Sequence, residues 1–95
     1  MEEDEEIHQS DLKDVLLSTV PSPQFVVKCN KLAMDYMRRG NLEYSFKLLQ
    51  KAKKFLDSTN EFSPAFSEQD HNRLLSLTLN NLGCLYKKYI LSLSH

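Results

Sequence analysis

Apolar residues recur at helical spacing in three segments of this chain, and each segment carries signals for where a helix begins. Ser22-Pro23 combines an N-cap hydroxyl with proline at the first helical position, and Gly40 supplies the left-handed residue that commonly ends a helix. Asn41 caps the next segment at once, and Ser67 with Asp70 resembles a capping box that opens the third. No stretch alternates with the period of a strand. The pattern predicts an all-α fold with helices at about 23–39, 42–57 and 68–91.

The first two predicted helices form an antiparallel hairpin, because the connection between them is very short. Ala33, Ser45 and Ala52 offer small side chains at positions where the two helices can approach closely. The predicted architecture is this hairpin plus a third long helix, in one helical domain over residues 22–95. Residues 10–20 are expected to form a short helix that caps an open end of the core.

Two segments about fifty residues apart repeat one pattern, Cys29–Tyr36 and Leu79–Tyr86. The first lies on the stripe Phe25, Cys29, Leu32, Ala33 and Tyr36. The same spacing in the third helix predicts an inward stripe of Leu75, Leu79, Leu82, Gly83, Tyr86 and Ile90. The asparagines of both segments are expected to face outward. The paired positions are Asn30 with Asn80, Leu32 with Leu82, Ala33 with Gly83, and Tyr36 with Tyr86.

The spacing of the first copy resembles a tetratricopeptide repeat (TPR), through Leu32-Ala33, Tyr36, Gly40, Leu49 and Ala52. Leu82-Gly83 and Tyr86 supply the first half of a second repeat. Asp70-His71 followed by Thr78–Gly83 is similar, more specifically, to the long repeats of kinesin-light-chain-like proteins. The chain departs from the family in its longer repeat spacing, in Ser45 for the usual alanine and in Asp57 for the usual proline.

The resemblance implies an α-solenoid fragment of about one and a half repeats, in which the first helix of each repeat lines a concave peptide-binding face. Three or more repeats are the usual requirement, so we expect either a piece of a longer array or a short variant stabilised by a partner. The residues predicted to bind the partner are those expected to be exposed on the first and third helices. They are Asn30, Lys31, Met34 and Arg38, with Leu77, Asn80, Asn81, Cys84, Lys87 and Lys88; Val27 and Met37 are expected on the same face.

Charge is distributed unevenly along the chain. Residues 1–9 form an acidic tail, predicted to be disordered, and Met1–Glu6 alone holds five acidic residues. The remaining eight acidic residues face all twelve lysines and arginines, so the body carries a net positive charge. A simply solvated tail is the main interpretation. The alternatives are an acidic protein or peptide ligand for the basic body, or a tail that occupies the basic face in cis. The basic density is far below that of a nucleic-acid-binding protein.

Features of catalysis, metal binding and membrane insertion are missing from the sequence pattern. The histidines His8, His71 and His95 lie far from any nucleophile with an orienting carboxylate, and two glycines cannot build a phosphate-binding loop. We therefore expect no enzyme activity, cofactor or metal. Cys29 and Cys84 are expected to be free thiols in a reducing compartment. No apolar run has the length of a membrane span, and the acidic start is unlike a targeting peptide.

Two functional hypotheses follow. The first is a non-catalytic protein–protein interaction or scaffold module, which binds a peptide or helix of a partner on its concave face within a larger assembly. The resemblance suggests a cytoplasmic location, in a cytoskeletal or ciliary assembly. The alternative is a small structural helical protein that self-associates, as a homodimer or a larger complex, through its uncovered C-terminal helix, which presents Ile90, Leu91 and Leu93.

Overall fold

The computed structural model describes residues 22–58 and 67–93, and within these ranges every regular element is a helix. Helix α1 spans Pro23–Arg38, α2 spans Leu42–Ser58 and α3 spans Glu68–Leu93. The predicted all-α hairpin with a third long helix is confirmed, with helix ends one or two residues from those expected. The predicted tail at 1–9 and the predicted helix at 10–20 lie outside the described residues.

The helix ends are held by the residues that the sequence pattern indicates. The backbone N–H of Phe25 donates to Ser22 Oγ over 3.2 Å, and that of Tyr44 donates to Asn41 Oδ1 over 3.2 Å. Ser67 Oγ accepts from the N–H of Asp70 over 3.0 Å. Each bond satisfies an N–H that has no partner inside its own helix. Between α1 and α2, Gly40 has φ +84°, which a side chain disfavours.

The α1–α2 hairpin closes over small residues and ring pairs. Ser45 Oγ donates a 2.5 Å hydrogen bond to the carbonyl oxygen of Ala33, so the two backbones lie close at this point. The rings of Tyr36 and Tyr44 lie 5.5 Å apart near one end of the hairpin. At the other end, the rings of Phe25 and Phe55 are also 5.5 Å apart. These contacts fix α1 and α2 in antiparallel register along their whole length.

Helix α3 packs on both helices of the hairpin, parallel to α1 and antiparallel to α2. His71 near the start of α3 donates from Nε2 to the carbonyl oxygen of Leu56, at the end of α2, over 2.7 Å. Lys88 near its end reaches the carbonyl oxygen of Met37, 3.4 Å away, at the end of α1. A lysine there also complements the negative end of the α1 dipole.

The three helices share one hydrophobic core, and its largest fully buried side chains are leucines of α2. Met37, expected on the exposed face of α1, is buried here with 3% of its surface accessible, because it faces α3. The buried apolar residues are Phe25, Val26, Cys29, Leu32, Ala33, Tyr36, Met37, Leu48, Leu49, Ala52, Leu56, Leu74, Leu82 and Leu85.

The predicted inward stripe of α3 is wrong for most of its members. Leu82 is buried and Leu75 is partly buried, but Leu79, Gly83, Tyr86 and Ile90 are exposed. The helix is turned so that Leu74, Thr78, Asn81, Leu82 and Leu85 face the hairpin instead. In α1 the matching stripe is buried because α2 lies against it.

The two glycines offer a matched test of this backbone geometry. Gly40→Ala should lower the free energy of unfolding by about 1–2 kcal/mol, because a Cβ is disfavoured at positive φ. Gly83→Ala should raise it by roughly 0.5–1 kcal/mol, because this glycine is helical and a Cβ there meets no described atom within 4 Å. Urea unfolding followed by circular dichroism measures both values, and equal effects would contradict the assignment.

Candidate partner-binding surface

Exposed residues of α1 and α3 flank the seam where the two helices touch, on the side that faces away from α2. One wall follows α1 at helical spacing and the other follows α3, and the residues of both walls are exposed except for the half-buried Met34. The floor is formed by polar residues where the two helices touch. We call this the α1–α3 groove; its walls are Val27, Lys31, Met34 and Arg38 on α1 with Leu77, Asn80, Cys84 and Lys88 on α3, and its floor is Asn30, Thr78 and Asn81.

The floor is a closed hydrogen-bond network buried between the helices. Asn30 Nδ2 donates to Thr78 Oγ1 over 2.9 Å and to the carbonyl oxygen of Val26 over 3.0 Å. Asn81 Nδ2 donates to Asn30 Oδ1 over 2.8 Å, and Thr78 Oγ1 donates to the carbonyl oxygen of Leu74 over 2.8 Å. Among the described residues, no buried side-chain nitrogen or oxygen lacks a partner. A fully satisfied network of this kind specifies one arrangement of the two helices.

The predicted exposure of Asn30 and Asn81 is wrong. They retain only 3% and 6% of their accessible surface, because each amide is used to join α1 to α3. Their side chains are therefore unable to grip a ligand backbone while the network is intact. Asn80, the residue that matches Asn30 in the repeat, is exposed on the groove wall.

The remaining predicted site residues lie on the accessible surface, around the same groove. Val27 and Leu77 are each 40% exposed and supply apolar contact area on opposite walls. Lys31, Arg38 and Cys84 are exposed as well. Lys87 is also exposed, but it lies on the side of α3 further from α1 than Lys88 does, at the margin of the groove. The exposed residues predicted from two distant segments of the sequence therefore lie on one side of the folded chain.

The surface around the groove is basic. Its two acidic residues, Asp35 and Asp70, pair with Arg38 and Arg73 on their own helices. A depression of about 670 Å3 along α1 has one acidic residue, Asp35, and three basic residues, Arg73 and two lysines, in its lining. The lysines on this side of the molecule are Lys28, Lys31, Lys87 and Lys88, and all four are exposed.

The two cysteines have different environments. Cys29 is fully buried in the core, and this burial raises the pKa of its thiol to about 12, although the charge of Lys51 acts in the opposite direction. At neutral pH Cys29 is therefore a protonated thiol, buried away from solvent. Cys84 is exposed on the α3 wall of the groove. Both are free thiols, as predicted.

A second surface lies on the other side of α3, and sequence reasoning missed it because these residues were expected in the core. We call Leu79, Gly83, Tyr86 and Ile90 the outer stripe. The outer stripe borders α2, where the rings of Phe46 and Tyr86 lie 6.3 Å apart. Between the two helices is an apolar hollow of about 480 Å3, lined by Leu42, Glu43, Phe46, Leu85, Tyr86 and Tyr89.

Within 22–58 and 67–93, there is no cluster of three or more histidine, cysteine, aspartate or glutamate side chains arranged to hold a metal ion. None of the three helices combines the length and hydropathy needed to cross a membrane.

No family model, curated protein or solved structure matches this chain. The likeness to tetratricopeptide repeats is therefore carried by the residues quoted above and by nothing else.

The asparagine pair Asn80 and Asn81 gives a matched test of the groove floor. Asn81→Ala should lower the free energy of unfolding by about 1–3 kcal/mol, because Asn30 Oδ1 loses its donor in a buried place. Asn80→Ala should change it by less than about 0.5 kcal/mol, because Asn80 is exposed. Both variants gain the same helix propensity, so their difference in urea unfolding isolates the network. Equal losses would contradict the burial of Asn81.

Proposed function

We propose that this chain is a non-catalytic protein-interaction module that binds an acidic, extended segment of a partner protein in the α1–α3 groove. The observation that carries the proposal is the composition of the groove. Lys31 and Lys88 lie on its two walls, and the acidic residues of the surrounding surface are already paired within their own helices. A carboxylate-bearing ligand would meet net positive charge along the full strip.

The walls suggest what else the ligand contains. Val27, Met34 and Leu77 place apolar surface between the cationic side chains, and methionine adapts to ligands of different shape. An acidic segment with interspersed apolar residues fits this alternation better than a run of carboxylates alone. Asn80 offers an exposed amide that can both donate to and accept from a ligand backbone.

The floor explains why the groove would bind without large rearrangement. Because the Asn30–Thr78–Asn81 network fixes α3 against α1, the spacing of the two walls is set before a ligand arrives. A rigid surface loses less conformational entropy on binding than a mobile one. Arrays of tetratricopeptide repeats present concave faces of this kind, and the resemblance supports an adaptor or scaffold role in a cytoplasmic assembly, which is cytoskeletal or ciliary if the kinesin-light-chain likeness holds.

Charge reversal on two faces tests this proposal. The probe is a fluorescein-labelled synthetic peptide of alternating glutamate and leucine, and binding is measured by fluorescence anisotropy. Lys31→Glu with Lys88→Glu should weaken binding by at least about tenfold, and binding by the unaltered chain should weaken as salt is raised. Lys47→Glu with Lys54→Glu, on α2, changes the net charge equally and should leave the affinity within about twofold.

Equal weakening by the two double variants would reduce the effect to net charge and would remove the groove from the account. The same peptide with lysine in place of glutamate should fail to bind. Circular dichroism and thermal unfolding of each variant separate lost binding from lost fold.

A further inference from the structure

The outer stripe of α3 is apolar, exposed and uncharged. Leu79 is 47% exposed, Tyr86 is 49% exposed and Ile90 is 63% exposed, whereas singly scattered apolar residues are the ordinary condition of a surface. Gly83 lies among them, and a side chain built there would meet no described atom within 4 Å. The outer stripe is therefore a continuous apolar strip of helix surface, and at Gly83 the backbone itself is exposed because there is no side chain.

The first copy of the repeat shows what such a stripe binds. Ala33 corresponds to Gly83, and Tyr36 corresponds to Tyr86. In α1 these residues are buried against α2, with Ser45 Oγ on the Ala33 carbonyl oxygen at 2.5 Å and the Tyr44 ring 5.5 Å from that of Tyr36. A small residue on the covering helix faces the small residue on the covered one, and this lets the backbones approach.

We propose that the outer stripe, with the neighbouring edge of α2, is the docking site for one amphipathic helix supplied by another protein chain. The docked helix runs antiparallel to α3, as α2 does to α1, and places serine or alanine over Gly83. An aromatic residue next to that small residue lies against Tyr86. This surface is separate from the α1–α3 groove, so the inference does not depend on the function proposed above.

The edge of α2 supplies the second wall of this docking site. Phe46 is 38% exposed, whereas Leu48 and Leu49 of the same helix are fully buried, and its ring lies 6.3 Å from that of Tyr86. Leu42 continues the wall, and the hollow of about 480 Å3 between the helices is almost entirely apolar. The docked helix would therefore touch two helices, as α3 touches both α1 and α2.

A second copy of this chain fits the site less well. Among the helices within 22–58 and 67–93, α2 carries the required small-residue face, and its Ser45 and Ala52 are fully buried against α1. A second copy could offer that face only by opening its own hairpin. With its hairpin closed, a second copy would have to place its α3 and the edge of its α2 against the outer stripe of the first copy.

A synthetic peptide with the sequence of residues 41–58, which is α2 with its cap, is the probe for the test. Isothermal titration calorimetry measures its binding to the full chain. The unaltered chain should bind it, and Leu79→Lys should weaken binding by at least about tenfold, since a buried leucine contact is replaced by a charge. Leu77→Lys alters a leucine of α3 that is 40% exposed and lies outside the site, and should leave the affinity within about twofold.

Two further variants address the small-residue contact. Gly83→Gln should also abolish binding, and it cannot do so by unfolding α3, because glutamine is the better helix former. A peptide carrying Ser45→Phe should bind at least about tenfold more weakly than the natural sequence, because the bulky ring holds the two helices apart.

The opposite results are clear. No binding of the peptide, or equal losses in Leu77→Lys and Leu79→Lys, would overturn the proposal. Analytical ultracentrifugation of the chain without peptide tests whether a second copy occupies the site. A dimer that dissociates in Leu79→Lys and persists in Leu77→Lys would assign the outer stripe to a second copy and overturn the assignment to another protein.

Discussion

The buried contact between Asn30, Thr78 and Asn81 is the constraint on which the arrangement of this molecule depends. Three polar side chains in a thin helical core are costly unless every donor and acceptor is paired. The pairing seen here demands one rotation and one register of α3 against α1, since Asn30 must meet both Thr78 and Asn81. Apolar contacts alone would tolerate several rotations of a helix as rich in leucine as α3. The network therefore decides which of the leucines of α3 become core and which become surface.

Helices α1 and α3, which carry the two matching segments, each have two faces that differ in what they contact. One face of α1, through Ala33 and Tyr36, binds the second helix of its hairpin; another, through Val26, Asn30 and Met37, stacks on α3. Helix α3 packs on both α1 and α2 within the described residues, and most of its outer stripe is exposed. The molecule thus presents two surfaces of unlike chemistry on the two sides of α3. The α1–α3 groove is basic and rich in polar groups, and the edge towards α2 is apolar.

Local signals in the sequence predicted the helices well, because caps and breaks are determined by neighbouring residues. Ser22, Gly40, Asn41 and Ser67 act within three residues of themselves and behave as expected. The stripe of α1 was also predicted correctly, because its covering helix follows directly. The rotation of α3 was not, because it depends on a partner for Asn81 that lies 51 residues earlier. Asparagines are mostly exposed, so both Asn30 and Asn81 were assigned to the surface. The sequence match of Gly83 with Ala33 does not extend to burial, because Ala33 is buried and Gly83 is exposed.

Nuclear magnetic resonance of the side-chain amides tests the central claim most directly. With α3 packed as described, the Nδ2 protons of Asn30 should show nuclear Overhauser contacts to the methyl group of Thr78. The Nδ2 protons of Asn81 should exchange with solvent far more slowly than those of the neighbouring Asn80. If Asn80 and Asn81 exchange equally fast and the contact to Thr78 is missing, while the helical chemical shifts persist, α3 lies on α1 in a different rotation and the assignment of both surfaces fails.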